Sequence, residues 1–474
     1  MMISLVRRAL KPFVLRYVHT LNERRRRELL ATRQLLQPEN WGLQSLDGDL
    51  HWAGCRLADL AQNYGTPLQV LNAPQLVANY KAFRDAFVAE HPNTLVGFSY
   101  KTNPLPGALA LLHSAGAIAE VISHYELWLA LQLGVPPERI VLNGPGKSPE
   151  CLQLAVERGV SLINLDNIHE ADTLQAAARQ RGRKQRVGVR VVTSVGWAAQ
   201  FGIPLAGGAA LSAFERLQQC PDLLPCGLHI HLGTGIKEVS VYLQAVRELL
   251  AFARELKQKL GITIDFFDLG GGFGVPTVAP LTEMDERLLA AGYPAAPVDP
   301  GHTPPLATYA QAIGQLIRQW YPEGPRPTLF FEPGRAVSSS AQLLLLRVRA
   351  LKPGPKGAQQ VILDGGHNLA IPTSYEQHAL WPVSGVDQPF DRVHHFYGPL
   401  CHPGDVLARQ VLFPPLQVGA VVAIMDAGAY FIPNQMNFSN PRPAVVVIEQ
   451  GRVRLTREAE TFEHMIHLDQ VERV

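Results

Sequence analysis

Lys101 follows the apolar run Leu95–Tyr100 and precedes Thr102-Asn103-Pro104. An apolar run that stops at a proline-containing turn reads as a strand carrying one amine to its C-terminal end. In a parallel α/β barrel the chemistry sits at that end of the strands. A lysine desolvated there can lose its proton and form a Schiff base with an aldehyde. The same spacing also suits a snorkelling or ion-paired lysine.

Four further stretches carry reactive or binding groups. In Gly227-Leu-His229-Ile-His231-Leu-Gly233-Thr234-Gly235, strand alternation puts His229 and His231 on one face. The pair suits a zinc site of the amidohydrolase kind, an imidazole stacked on a flat cofactor beside a phosphate-binding Gly/Thr turn, or two structural histidines. Asp268-Leu-Gly270-Gly271-Gly272-Phe-Gly274 lets backbone N–H groups approach an anion closely. No Gly-Lys-Ser/Thr follows, so it is not a Walker loop. Phe330-Phe331-Glu332-Pro333-Gly334-Arg335 sets a carboxylate at a strand mouth and an arginine fork after it. Such a carboxylate can keep a pyridine nitrogen protonated, or it can pair locally with Arg335. The fourth group, Cys401-His402 in Gly398–Asp405 and Tyr430 in Asp426–Tyr430, offers a thiol in a turn and a phenol after a strand. A free cysteine also serves as a small buried hydrophobe.

These residues need a frame. Candidate strands end near Lys101, Ser123, Gly144, Asp166, Thr193, Gly233, Gly270 and Glu332. Helical periodicity fills stretches between them, such as Ser123–Leu133, Ser148–Arg158, Ile168–Arg179, Val239–Leu260 and Leu306–Trp320. Alternation of this kind predicts a parallel sheet, closed most economically as an eight-stranded (β/α)8 barrel. Val275–Pro305 is rich in Pro and Gly and reads as an inserted surface loop. Beyond Arg335 the runs Leu343–Ala350, Gln359–Leu363, Val418–Ile424 and Ala444–Glu449 predict a second, mostly β domain. The expected division is a basic helical arm (1–40), a segment joining the β domain (41–71), the barrel (72–335, with the insert 275–305) and the β domain (336–474).

The composition narrows the function classes. The 474 residues carry a net charge of +2, with 47% hydrophobic and 18% charged residues. There is no global pull toward nucleic acid or membrane. The five cysteines lack CxxC spacing and suit a reduced, cytoplasmic protein. No run reaches the roughly 18 apolar residues of a membrane span, and no secretory signal pattern is seen. In the arm, Arg7, Arg8, Lys11, Arg16, Arg24–Arg27 and Arg33 outnumber Glu23 and Glu28. Leu5, Val6, Leu10, Phe13, Val14, Tyr17, Val18 and Leu21 recur there at roughly helical spacing. Such an arm either touches a partner or anionic membrane surface, or packs on the body.

Taken together and in order, Ser-Tyr-Lys101-Thr-Asn, Gly-Leu-His-Ile-His231-Leu-Gly-Thr-Gly, Gly270-Gly-Gly-Phe-Gly, Glu332-Pro-Gly-Arg335, Gly-Pro-Leu-Cys401 and Asp-Ala-Gly-Ala-Tyr430 resemble the fold-type III pyridoxal-phosphate decarboxylases. That group acts on diaminopimelate, ornithine and arginine. The likeness runs from about Leu57 to Ile448. It implies an alanine-racemase-like barrel with a β domain, pyridoxal 5'-phosphate as cofactor, a small amino-acid substrate or conjugate, and a homodimer with shared active sites. It also implies that Lys101 holds the cofactor and His231 stacks on its ring. Thr234, Gly270, Gly271 and Gly272 would bind its phosphate, and Glu332 would face its nitrogen. Arg335 would bind phosphate or substrate. Phe201-Gly202-Ile203 matches a family Phe-Gly-Ile. Cys401, as proton donor, and Tyr430 would come from the second subunit; His402, Tyr375 and Tyr430 would line the substrate.

Two departures touch the substrate. Diaminopimelate enzymes have Cys-Glu where this chain has Cys401-His402, and an Arg-Pro in the stretch matching Asn368–Tyr375, which here has no arginine. The resemblance therefore implies a decarboxylase acting on a different amino acid or a conjugate, such as a siderophore or secondary-metabolite intermediate. Alternatives on the same fold are an amino-acid racemase and a non-catalytic regulator.

Overall fold

In the computed structural model, residues 2–32 and 34–470 are described, residues 2–10 by their backbone alone. The side chains of Leu5, Val6, Arg7, Arg8 and Leu10, and Arg33 as a whole, lie outside the described residues. The chain forms two units: Leu76–Gly274 with Pro304–Ser338, and the residues up to Gln75 with Val275–Thr303 and those from Ser339 onward.

The first unit is a closed parallel barrel. Its strands are Thr94–Ser99, Ile118–Val121, Ile140–Leu142, Leu162–Leu165, Gln185–Val192, Leu223–His229, Phe266–Asp268 and Thr328–Phe331. Each pairs with the next in parallel, and Leu329 opposite Thr94 closes the ring. The return helices are amphipathic. Val239–Leu260 buries Tyr242, Ala245, Val246, Leu249, Ala253 and Leu256 on one face and ends at Gly261 in the left-handed region. Ser148 caps Pro149–Arg158, its hydroxyl accepting from the Cys151 N–H at 3.2 Å.

Val141, Leu162, Cys226, Phe266 and Phe330 pack as one apolar cluster. Truncating a buried ring such as Phe330 costs about 3–5 kcal/mol. Two glycines make room around these side chains. A Cβ on Gly97 would come 2.7 Å from the Phe330 ring, and one on Gly188 would strike the Asn164 side chain.

The second unit is mostly β. Leu68–Asn72 lies between two later strands, antiparallel to Gln342–Pro353 and parallel to Ala444–Glu449. The first half of Gln342–Pro353 is buried on both faces. Leu343 and Leu345 join a cluster with Trp41 and Trp52, whereas Leu344 and Leu346 join one with Phe396 and Phe413. Its two-residue alternation therefore feeds two cores.

Val275–Pro305 is not the plain surface loop its composition suggests. It contains the helix Glu283–Ala291, capped reciprocally by Thr282 and Asp285 and ended by Gly292 at φ +85°. Ala279–Pro280 pairs with Glu376–Gln377, and Val275, Val278 and Leu288 are buried. The capping box was present in the sequence but was masked by flanking prolines. The first helix, Met2–Ala31, belongs to the same unit.

Candidate functional site

Every barrel strand carries a polar side chain within two residues of its C-terminal end. In ring order these are Ser99 with Lys101, Glu120, Asn143, Asn164, Arg190, His229, Asp268 and Glu332. Lys101 sits in the 3-10 turn Tyr100–Thr102 that ends its strand, so the amine projects from the barrel end. Except for the partly exposed Lys101, these side chains are buried.

Hydrogen bonds link most of them. The Lys101 ammonium donates to Glu120 Oε2 at 3.0 Å and to Ser99 Oγ at 2.5 Å. Asn143 Nδ2 donates to Glu120 Oε1 at 2.9 Å and to Glu332 Oε1 at 2.5 Å. Asn164 Nδ2 donates to Asn143 Oδ1 at 2.8 Å and to Asp268 Oδ2 at 3.0 Å. Asp268 Oδ1 accepts from the Gly270 N–H at 3.1 Å, which ties the glycine turn to the ring. Arg190 lies 3.6 Å from Asp166, with its guanidinium 4.4 Å from the Phe201 ring centroid.

Three buried ionisable groups diverge sharply. Burial disfavours charge on Glu332, but His229, His231 and Lys101 overcome it and hold the carboxyl well below the usual range. Asp268 goes the other way: burial and then the charge on Glu332 push its carboxyl well above the usual range. Burial likewise drives His229 well below the usual imidazole value, against the opposing pull of Glu332. His229 Nε2 is 3.3 Å from Glu332 Oε1, off the hydrogen-bond line, and both its ring nitrogens are buried without a hydrogen-bond partner. His231 Nδ1 is 3.5 Å from the other Glu332 oxygen. His229 and His231 thus flank one carboxylate, as strand alternation predicts. Donor atoms of His229, Asp268 and Glu332 lie within 4.8 Å of one another, close enough for a metal ion.

The glycine turn is set by close packing. Gly270 and Gly272 have φ of +67° and +90°, and a Cβ on either, or on Gly271, would strike the backbone oxygen of Ile230, Gly233 or Glu332. The Gly271 N–H donates to His231 Nδ1 at 3.4 Å. Thr234 is exposed. Arg335 is buried and opens the short helix Arg335–Ser338.

Cys401, His402, Tyr375 and Tyr430 belong to the β unit. Cys401 is exposed, which sets aside the buried-hydrophobe reading. Buried Asp405 shapes its turn, accepting from the N–H groups of Leu400 at 2.8 Å and His367 at 2.7 Å. His402 is exposed, its Nδ1 accepting from the Gly404 N–H at 3.1 Å. Tyr375 is 45% exposed. Tyr430 has φ +66° and ends a turn anchored by the buried Asp426 carboxylate. That carboxylate accepts from Trp41 Nε1 at 2.8 Å, Thr277 Oγ1 at 2.9 Å and Ser339 Oγ at 3.0 Å.

Five residues of importance here did not stand out in the motifs: Glu120, Asn143, Asn164, Arg190 and Trp197. The first four are single polar residues near the ends of apolar strand runs, a signal that was legible. Trp197 is 51% exposed with its ring centroid 6.1 Å from that of His231. It sits in an irregular loop and gave no periodic signal.

A closed parallel barrel with an amine, an ionised buried acid and a glycine turn at one end, joined to a β unit, defines an alanine-racemase-like cofactor enzyme. The chain belongs to the pyridoxal-dependent decarboxylases: the family's pyridoxal binding domain profile matches residues 74–339. It is similar to the diaminopimelate decarboxylases of Aquifex aeolicus and Bacillus subtilis. The first is 30% identical, covering 91% of this chain and 98% of that one. The second is 28% identical, covering 90% and 96%. The crystal structure of diaminopimelate decarboxylase from Methanocaldococcus jannaschii with L-lysine superposes with a TM-score of 0.82 at 27% identity, over 91% of this chain and 98% of that one. The protein is a fold-type III, pyridoxal-phosphate-dependent carboxy-lyase of the diaminopimelate decarboxylase kind. Its residues fit the cofactor: a lysine amine, a buried carboxylate, and the unpartnered imidazole nitrogens of His229 beside that carboxylate.

Proposed function

We propose that this enzyme decarboxylates an amino acid or an amino-acid conjugate whose distal end differs from that of diaminopimelate. Pyridoxal phosphate, when bound, supplies an aldehyde for the substrate amine and an electron-withdrawing ring for the electron pair left as CO₂ departs. Lys101 would provide the amine that holds that aldehyde. Glu332 would hold a proton on the ring nitrogen. His231 would cover one ring face and limit water there. Gly270, Gly271, Gly272 and Thr234 receive the phosphate through backbone and hydroxyl donors, with Arg335 as a cationic partner for phosphate or substrate carboxylate. Cys401 of a second subunit delivers a proton to the α-carbon, and Tyr430 and Tyr375 line the substrate. The exposure of Cys401 and Tyr375 supports their service to a neighbouring copy in a homodimer.

The observation that carries this reading is the buried network that runs from Lys101 through Glu120 and Asn143 to Glu332 at one end of the barrel. The relatives' names make diaminopimelate the first compound to test. His402 in place of a carboxylate, and the arginine-free Asn368–Tyr375, favour a substrate without a second amino-acid head group. A siderophore or other secondary-metabolite intermediate would fit. CO₂ release is to be measured across diaminopimelate, simple diamino acids and their acyl conjugates, with chiral analysis of the product. Release from a conjugate at higher kcat/KM than from diaminopimelate supports the proposal; racemisation without CO₂ refutes it.

A further inference from the structure

The first helix is held to its unit along one side. Leu15 and Leu29 are buried. His19 stacks on Tyr293 with ring centroids 4.4 Å apart, and Arg25 is ion-paired with Asp299. At about 100° per residue, the opposite side of this helix carries Phe13, Tyr17 and Leu21 with Arg16, Arg24 and Arg27. Phe13 is 73% exposed, Tyr17 66% and Leu21 45%. The spacing i, i+4, i+8 makes them one continuous apolar stripe. All three arginines beside it are exposed, and the two acids on or beside that face are already ion-paired, Glu28 with Arg24 at 3.2 Å and Arg25 at 3.4 Å, and Glu23 with Arg26 at 3.5 Å.

The surface is therefore apolar and cationic at once, on a chain whose net charge is only +2. A second copy of the same face would bring arginine against arginine. An anionic bilayer satisfies both features: aromatic and aliphatic side chains enter the headgroup boundary while guanidinium groups meet lipid phosphates. No described helix is long and apolar enough to cross a membrane. We propose that the outer face of the first helix docks the enzyme in-plane and reversibly on an anionic membrane surface.

The test is cosedimentation of the full-length holoenzyme with phosphatidylcholine vesicles, with or without phosphatidylglycerol. Binding is expected only to the anionic vesicles and should fade as salt is raised. Each cation near such a surface contributes roughly fivefold to affinity, so Arg16→Gln, Arg24→Gln and Arg27→Gln together should weaken it by roughly a hundredfold. The matching lysine triple variant should still bind. Phe13→Ser with Tyr17→Ser should also release the enzyme while leaving the absorbance of bound cofactor unchanged. Equal binding to both vesicle types, no binding to either, or indifference to these substitutions would overturn the proposal. So would a fall in oligomeric mass by light scattering in the Phe13/Tyr17 variant, which would make the stripe a protein contact.

Discussion

Glu120 Oε2 lies 3.0 Å from Lys101 Nζ and 2.5 Å from Ser99 Oγ, so one fully buried carboxylate oxygen anchors both polar groups that end the first barrel strand. A hydrogen bond to a charged group contributes about 1.5–3 kcal/mol. Glu120→Gln keeps the shape and removes the charge. It should lower kcat by roughly 10–150-fold. Steady-state CO₂ release checks this, with cofactor absorbance as a control for folding. Lys101→Ala should lose both turnover and the visible band of lysine-bound cofactor.

The glycine turn makes a sharper test of packing. Gly272→Ala places a methyl group against the Gly233 carbonyl at φ +90°. Gly116→Ala introduces similar φ strain at +104° but meets nothing within 4 Å. Gly272→Ala should cost more than the roughly 1–2 kcal/mol of strain alone and should lose cofactor. Gly116→Ala should retain it. Cofactor stoichiometry after dialysis separates the two; equal retention would mean the turn relaxes freely.

How far the sequence carried this picture follows from the kind of signal each element sends. Strand-terminal Lys101, His231 and Glu332 were legible because each breaks an apolar run beside Gly or Pro. Val239–Leu260 was legible because its buried positions repeat at helical spacing. Asn143 and Asn164 send the same strand-end signal more weakly, since an amide there also suits a turn, and only ring closure makes them neighbours. Glu283–Ala291 was hidden by the prolines around it. Nothing local in Leu68–Asn72 announces which distant strands it will pair with.

Glu126 should make stability depend on pH. Burial, and then the charge on Glu120, push its carboxyl up to about 7. Between the ordinary carboxyl range near 4 and about 7, the folded chain keeps a proton that the unfolded chain has released. Stability therefore falls as pH rises through that window, by about 3 kcal/mol in total. In Glu126→Gln this loss should vanish, while the amide oxygen can still accept from the Ile122 N–H, as the carboxylate does at 2.8 Å. Urea unfolding at pH 4 and pH 8 tests it; parallel pH dependence in both proteins would contradict the assignment.

Asp426→Asn puts an amide among three donors. The carboxylate accepts from Trp41, Thr277 and Ser339, whereas an amide has one oxygen for them and turns N–H groups toward the rest. Left-handed φ at +60° is tolerated by Asn, so backbone strain should not change. The expected cost is about 1–3 kcal/mol for each donor left unpaired. The denaturation midpoint should fall accordingly. Disturbance of the Tyr430 turn should appear as a raised KM.

His402→Glu tests the substrate reading. If the missing negative charge keeps diaminopimelate from being a good substrate, the variant should raise kcat/KM for it by about tenfold, the worth of one charge-assisted contact. The activity on the enzyme's own substrate should drop. No gain would place the discrimination elsewhere, with Asn368–Tyr375 the next stretch to change.

Leu68–Asn72 leaves the ribosome early, yet both neighbours it pairs with come much later, Gln342–Pro353 and then Ala444–Glu449. The barrel's last strand is already translated by Phe331. One half of the nascent chain can thus begin to fold while this apolar segment waits with bare edges, a hazard for aggregation. A stop codon before Gln342 would leave both of its edges bare, and one between 354 and 443 would leave bare the edge that Ala444–Glu449 covers, so truncated products should be insoluble or rapidly degraded even when every barrel residue has been made.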